Sequence, residues 1–408
     1  MTDLRITQLD SGLTVATEFV PGALSVATGV WVGVGSRDEP AELSGVSHFL
    51  EHLLFKGTPT RTSQEISRSV DRVGGDFNAF TAKEYTAYYI RLPARHAELG
   101  VDLLSDVLIR PALREADVES ERLVILEELA MDDDSPDDVA HRTFTAQLFA
   151  DHPLGRETAG DRQTVQAITP ADVRRFFGAN YHAGSMVISL AGPIDHDRAV
   201  QLVSAAFADV VTTGSVPSRH APDAVGKDQS IDDDTEQVHI VIGGRSLARG
   251  DDDREALDVV NHVFGGGLSS RLFEEIRERR GLAYSVYSGV SAYADSGAFQ
   301  MYAGTQPQHG GHVIDLMRSD LDRLVTDGVS DDELDVAIGY LTGAFELGLE
   351  DTAARMARNG AQLITNGFVR PIDEQVARWA AVDHAAAKRA IDRVFTSDPI
   401  VVTVGPTL

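Results

Sequence analysis

The chain contains no cysteine. That excludes disulfides and a thiol nucleophile, and it leaves only His, Asp, Glu and water as ligands for any metal. It also fits a reducing compartment. No apolar run approaches the ~20 residues that span a bilayer. The first residues, Met1-Thr2-Asp3-Leu4-Arg5-Ile6-Thr7, show no basic segment followed by an apolar stretch, so no signal peptide is visible and a cytoplasmic protein is expected. Positive charge is scarce: 36 Lys and Arg stand against 63 Asp and Glu, a formal net charge of -27. Nucleic acid and anionic membranes would be repelled, so neither is expected as a partner. Basic peptides are admitted. The runs Asp132-Asp133-Asp134, Asp232-Asp233-Asp234 and Asp251-Asp252-Asp253 also read simply as an acidic, well-solvated surface.

What is present is a chain of 408 residues with 43% hydrophobic content, long enough for two cores. Strands are expected at Leu13–Thr17 and Ser25–Gly35, separated by the turn Val20-Pro21-Gly22. A short helix follows to Gly57, then a second over 62–73 with Ser63 as N-cap. Asp76–Leu92 reads as a hairpin. Helices are expected at 95–109, 114–131, 138–149, 163–166, 170–179 and 196–209, and a strand at Met186–Gly192. Residues 212–230 lose periodicity and gain Pro, Gly and Ser, the composition of a linker.

Beyond it the order repeats. Strand Val238–Gly243 precedes a helix from Asp253 to Phe264 ending in Gly265-Gly266-Gly267. A helix over Ser270–Arg279, a hairpin over Tyr284–Ala303, further helices and a last strand, Ile400–Val404, follow. The fold class expected is α+β: two similar tandem domains, 1–211 and 231–408, each a mostly antiparallel sheet flanked by helices, joined by the linker 212–230.

The chemistry concentrates in Val46-Ser47-His48-Phe49-Leu50-Glu51-His52-Leu53-Leu54. His48 and His52 are four apart and share one face of a helix, where two imidazoles can hold one metal ion. Glu51 lies beside them and can reach a water on that metal. The order His-x-x-Glu-His inverts the commoner His-Glu-x-x-His. The competing reading is a pair of ordinary surface and core histidines. A catalytic zinc usually takes three protein ligands and keeps one open position. On the helix Glu119–Met131, Glu121 and Glu128 are seven apart and nearly share a face, one as ligand and one behind it. Glu127 lies about 100° away. Helical geometry alone does not rank Glu127 against Glu128, and a solvated acidic face is the commoner use of such residues. The equivalent helix of the second half carries only His262, to which no metal is assigned.

Taken together, His48-x-x-Glu51-His52 and the distant Glu121-Arg122-x5-Glu127-Glu128 resemble the pitrilysin/insulinase family of zinc peptidases, the inverzincins. Phe55-Lys56-Gly57-Thr58 and Asp134-Ser135-Pro136-Asp137-Asp138 look like its processing-peptidase branch. Gly265–Phe273 and Arg277-Glu278-Arg279-Arg280-Gly281-Leu282-Ala283-Tyr284 resemble its C-terminal-domain signature. The resemblance spans the chain. It implies one Zn2+ per chain on His48, His52 and Glu128, Glu51 as general base and Glu121 behind the ligands. It also implies that Arg277 and Tyr284 hold substrate, and that Phe77, Asn78, Ala79 and Phe80 form an edge strand binding extended peptides. Read without it, that strand is as readily an ordinary buried one, Arg277 a solvated helix residue and Tyr284 a core aromatic. The expected activity is a zinc endopeptidase or oligopeptidase for unstructured peptides. The alternatives are a processing peptidase that trims Arg-containing, targeting-like segments and a non-catalytic partner subunit. Larger members of that family hold four domains closing around the substrate; with two, this chain resembles the branch that forms dimers, and a homodimer is the simpler expectation because one chain carries both motifs.

Overall fold

The computed structural model describes residues 3–214 and 217–408. The chain begins with β1 (Asp3–Gln8), β2 (Thr14–Phe19) and β3 (Ser25–Val32), then α1 (Val46–Leu54) and α2 (Ser63–Asp71). The hairpin β4 (Asp76–Thr81) and β5 (Thr86–Pro93) leads to α3 (Ala97–Ile109), α4 (Glu115–Asp133) and α5 (Pro136–Phe149). Then come α6 (Arg162–Ala167), α7 (Pro170–Asn180), β6 (Met186–Gly192) and α8 (His196–Ala206). The remainder holds β7 (Gln229–Asp232), β8 (Val238–Ser246), α9 (Arg254–Asn261), β9 (Ala283–Ala292) and β10 (Gly297–Thr305). It closes with α10 (Gly310–Asp327), α11 (Asp331–Gly348), α12 (Thr352–Asn366), α13 (Ile372–Ala380), α14 (His384–Val394) and β11 (Ile400–Gly405).

These elements form two compact units. The first comprises Met1–Leu129, Arg156–Ser218 and Glu346–Pro371; the second Ala130–Gly155, Arg219–Phe345 and Ile372–Leu408. The division therefore departs from the expected cut into 1–211 and 231–408. Two segments pack in the unit opposite to the one their chain position suggests.

The sheets explain why. In the first unit the strand order is β1-β2-β6-β3-β5-β4, antiparallel except for the parallel pair β2–β6. Strand β3 is buried on both faces. Val26, Val30 and Val32 enter the main core with α1 and α3, whereas Ala27 and Trp31 lie with Met356 and Leu363 of α12. The alternation of period two assigns each set to its face. Helix α12 can approach because its Gly360 has no side chain: a Cβ there would sit 2.1 Å from the Trp31 ring. Without α12 the Ala and Trp face would be exposed to water, so 346–371 belongs to this sheet.

The second unit repeats the arrangement. Its order is β7-β11-β8-β10-β9, antiparallel except for β7–β11. Val238, Ile240 and Ile242 of β8 face one core, and Val241 faces Ala140, Phe144 and Leu148 of α5. So α5 covers this sheet as α12 covers the other. The α+β class with two similar units is what the chain adopts.

Three local details differ from expectation. Thr62, rather than Ser63, caps α2: its side chain accepts from Glu65 N while the Glu65 carboxylate accepts from Thr62 N at 2.8 Å. The pairing needs Thr and Glu three apart, which Ser63 cannot supply. The linker expected at 212–230 ends in strand β7, because Gln229–Asp232 finds a parallel partner in β11; its residues 215 and 216 lie outside the described residues. Finally, the helices at Asp253–Phe264 and Ser270–Arg279 open into wide π-type turns at His262–Gly266 and Phe273–Glu278. Among the described residues no helix is long and apolar enough to cross a membrane.

Candidate metal centre

Helix α1 buries Val46, Phe49, Leu50, Leu53 and Leu54 against the first core and leaves His48, Glu51 and His52 at the edge of that face. The apolar residues fix the rotation of the helix, and this fixes where the three polar side chains point. The two imidazoles stand edge to face with ring centroids 4.7 Å apart. Helix α4 brings the third group. Glu128 Oε2 lies 3.5 Å from His52 Nε2 and 3.9 Å from His48 Nε2. Among the described residues, His48, His52 and Glu128 are the group of three that could share a metal ion.

The donor set fits zinc, which takes imidazole nitrogen and carboxylate oxygen at about 2.0–2.2 Å in tetrahedral sites. Second contacts support the fit. Glu121, seven residues before Glu128 on α4, places Oε2 3.2 Å from His52 Nδ1. Its other oxygen receives the Lys56 ammonium at 2.6 Å. A carboxylate can only accept here, so Nδ1 of His52 is the nitrogen that donates to Glu121, which leaves Nε2 as the atom available to a metal beside Glu128. Burial and the neighbouring His52 hold the His48 pKa down to about 4, so its ring is neutral at pH 7. The Nδ1 of His48 is buried with no hydrogen-bond partner among the described residues.

Glu51 faces the same space but is held differently. The Thr81 hydroxyl on β4 donates to its Oε2 at 2.5 Å. Burial raises the Glu51 pKa, with Thr81 and His52 opposing that shift and Glu128 adding to it. A carboxylate so placed accepts a proton more readily than an exposed one.

The strand carrying Thr81 is the outermost of its sheet, so among the described residues of the first unit one side of β4 has no strand neighbour. Phe77 turns inward and stacks edge to face on Phe55 at 4.9 Å, tying the strand to the end of α1. Ala79 is buried, Asn78 is exposed, and Phe80 is exposed beside Tyr85. Arg277 and Tyr284 lie in the second unit. The Arg277 guanidinium sits 4.7 Å from the centre of the Tyr284 ring, whose side chain is 80% exposed. His262 stacks on Tyr340 at 4.1 Å.

Sequence reasoning did not single out Thr81 or Lys56 for any role. Lys56 follows His52 by four positions, a spacing that points to the same face. Thr81 carries no such signal, because only strand pairing puts it beside Glu51.

Residues 14–162 match the family model described as Insulinase (Peptidase family M16), and residues 167–341 match that of the Peptidase M16 inactive domain. An uncharacterized zinc protease of Streptomyces coelicolor is 42% identical over 99% of this chain and 90% of its own length. One of Mycobacterium tuberculosis is 44% identical over 96% of this chain and 91% of its own length. The uncharacterized zinc protease YmxG of Bacillus subtilis is 35% identical, covering 97% of each. Among solved structures, a peptidase M16 inactive domain from Pseudomonas fluorescens superposes with a TM-score of 0.93 at 20% identity, over 100% of this chain and 98% of the other. A protease from Helicobacter pylori does so with 0.93 at 22%, over 100% of both. At those identities the two structures speak to the fold.

Proposed function

This chain belongs to the insulinase family of peptidases, M16, and on that premise we propose that it is a zinc-dependent endopeptidase or oligopeptidase acting on unstructured peptides. The observation that carries the reading is the convergence of His48, His52 and Glu128 with Glu51 facing the same space. Zinc bound there would supply a Lewis acid that lowers the pKa of a water and polarises a carbonyl.

The chain's own residues do the rest. His48 and His52 present ring nitrogens toward Glu128, the second oriented by Glu121. Thr81 holds one oxygen of Glu51, leaving the other to take a proton from the attacking water and return it to the leaving amine. An extended peptide adds to the open side of β4 through main-chain hydrogen bonds, with Asn78 and Phe80 beside it. Such pairing reads shape more than sequence and suits unfolded segments. Arg277 and Tyr284 hold the peptide over the site, from the same chain or from its partner in a homodimer whose two chains enclose the substrate. Trimming of Arg-containing segments is the narrower version, favoured by the acidic surface.

The non-catalytic reading takes its support from the match to an inactive-domain model, but that match covers 167–341, which includes Arg277 and Tyr284 and leaves out His48, Glu51, His52 and Glu128. The test is mass spectrometry of a mixed peptide pool incubated with the protein and with Glu51→Gln. Cuts made by the unaltered protein and absent from a Glu51→Gln sample that still binds zinc are expected. Identical cutting by both would remove Glu51 as the base, and no cutting by either, with zinc bound, would favour a partner role.

A further inference from the structure

Helix α1 begins without an ordinary cap. Its N-cap residue is Gly45, with φ 94°, and it has no side chain to receive the first amides. The first amides of any helix lack partners inside it. Here Glu39, from the loop before the helix, takes two of them. Its Oε2 accepts from Gly45 N at 2.7 Å and its Oε1 from Ser47 N at 2.7 Å. Gly45 is confined by its surroundings as well as its φ, since a Cβ there would stand 2.5 Å from the Ala159 carbonyl oxygen.

Glu39 is itself 4% exposed. Arg156 Nη2 donates to its main-chain carbonyl at 2.9 Å, and the loop is anchored nearby by the buried ion pair of Arg37 with Glu84 at 2.7 Å. Burial pushes the Glu39 carboxyl up to about 7, against the pull of the two amides and of Arg156. A Ser, Thr or Asp cap satisfies orphan amides without burying a charge. The buried glutamate differs in gripping two amides, on either side of the first helical residue. The residue after the second of these amides, that of Ser47, is His48. Fraying of the first turn would displace His48 while Glu51 and His52, a turn further on, kept their places.

We infer that Glu39 is a positioning residue for the metal centre: its carboxylate clamps the first turn of α1 and so holds His48 in register with His52 and Glu128. The inference rests on the reading that these three residues hold zinc. Its test uses Glu39→Gln, which keeps the shape but turns an amide group toward one of the two N–H donors, and Glu39→Asp, which keeps the charge but is too short to reach both. Zinc affinity is measured by chelator competition, and the visible absorption of the cobalt-substituted protein reports ligand geometry. Thr62→Ala, which removes the cap of the neighbouring α2, controls for a general loss of stability. The expected result is zinc binding weakened tenfold or more and an altered cobalt spectrum in Glu39→Gln, a smaller change in Glu39→Asp, and no change in Thr62→Ala. Should Glu39→Gln not fold, Glu39→Asp carries the comparison. Affinity and spectrum equal to those of the unaltered protein in the folded Glu39 variants would overturn the inference, whatever their melting temperatures. Failure of the unaltered protein to bind zinc would instead overturn the underlying reading of the site.

Discussion

Replacing Glu121 with glutamine exchanges one carboxylate oxygen for an NH2 group and leaves the volume of the side chain unchanged. In the native site the two oxygens accept from two donors, Lys56 Nζ at 2.6 Å and His52 Nδ1 at 3.2 Å. Glutamine has a single acceptor atom. The ammonium is the stronger donor and keeps it, so the new NH2 group faces His52 Nδ1. That nitrogen can accept only if its proton moves to Nε2, the atom that faces Glu128 at 3.5 Å and is needed for the metal. Metal binding then requires either the unfavourable tautomer or a broken hydrogen bond in a pocket where Glu121 is 4% exposed. Losses of this kind typically weaken metal affinity about 10- to 100-fold, or roughly 1.4–2.7 kcal/mol. Chelator competition at constant pH measures it, with thermal unfolding of the zinc-free protein as a check on folding. Zinc affinity in Glu121→Gln within about twofold of the unaltered protein would refute the assignment of the His52 tautomer to Glu121.

Two further outcomes follow from other contacts. Glu128→Gln should lose zinc on dialysis, while Glu127→Gln, exposed on the neighbouring line of α4, should keep it; metal analysis distinguishes them, and the reverse pattern would move the ligand to Glu127. Burial tends to raise the Glu333 carboxyl, but Arg271 at 2.6 Å and the Ser330 backbone and hydroxyl outweigh it and hold the pKa at about 2. The unfolded chain therefore binds the extra proton between the ordinary value of 4.5 and about 2, so this stabilisation is complete above pH 4.5 and is lost as pH falls toward 2. Arg271→Met should cost on the order of 2–3 kcal/mol at pH 7 and progressively less in acid; denaturant unfolding at several pH values checks this, and a cost independent of pH would exclude the ion pair as its source.

The parts of this molecule legible in its sequence are those written in local periodicity. Helix α1 can be read because its apolar positions and its three polar side chains obey one helical period. The seven-residue spacing of Glu121 and Glu128 likewise assigns them to one face of α4. The structure brings both glutamates to the histidines of α1, at 3.2 Å and 3.5 Å. What was hidden depends on partners far along the chain. Nothing in 130–155 or 346–371 marks them as covers for one sheet rather than the other, because the sequence of a helix does not say which sheet it packs on. Their assignment follows from which sheet face would otherwise be bare, such as that of Trp31. Glu39 reads as one acid in a loop, and its value lies in two backbone amides that carry no sequence signal. Thr81 meets Glu51 only through strand pairing. The wide turns at His262–Gly266 and Phe273–Glu278 look like plain helix in the sequence, since a single extra residue per turn leaves little trace in the pattern.

The most direct test is a titration of the zinc-stripped protein with zinc while peptide hydrolysis and bound metal are followed together. Activity should rise in proportion to bound zinc and level off at one equivalent per chain, while Glu51→Gln binds the same equivalent and stays inactive. Hydrolysis that is independent of zinc, or one equivalent bound with no hydrolysis by the unaltered protein, would contradict the account.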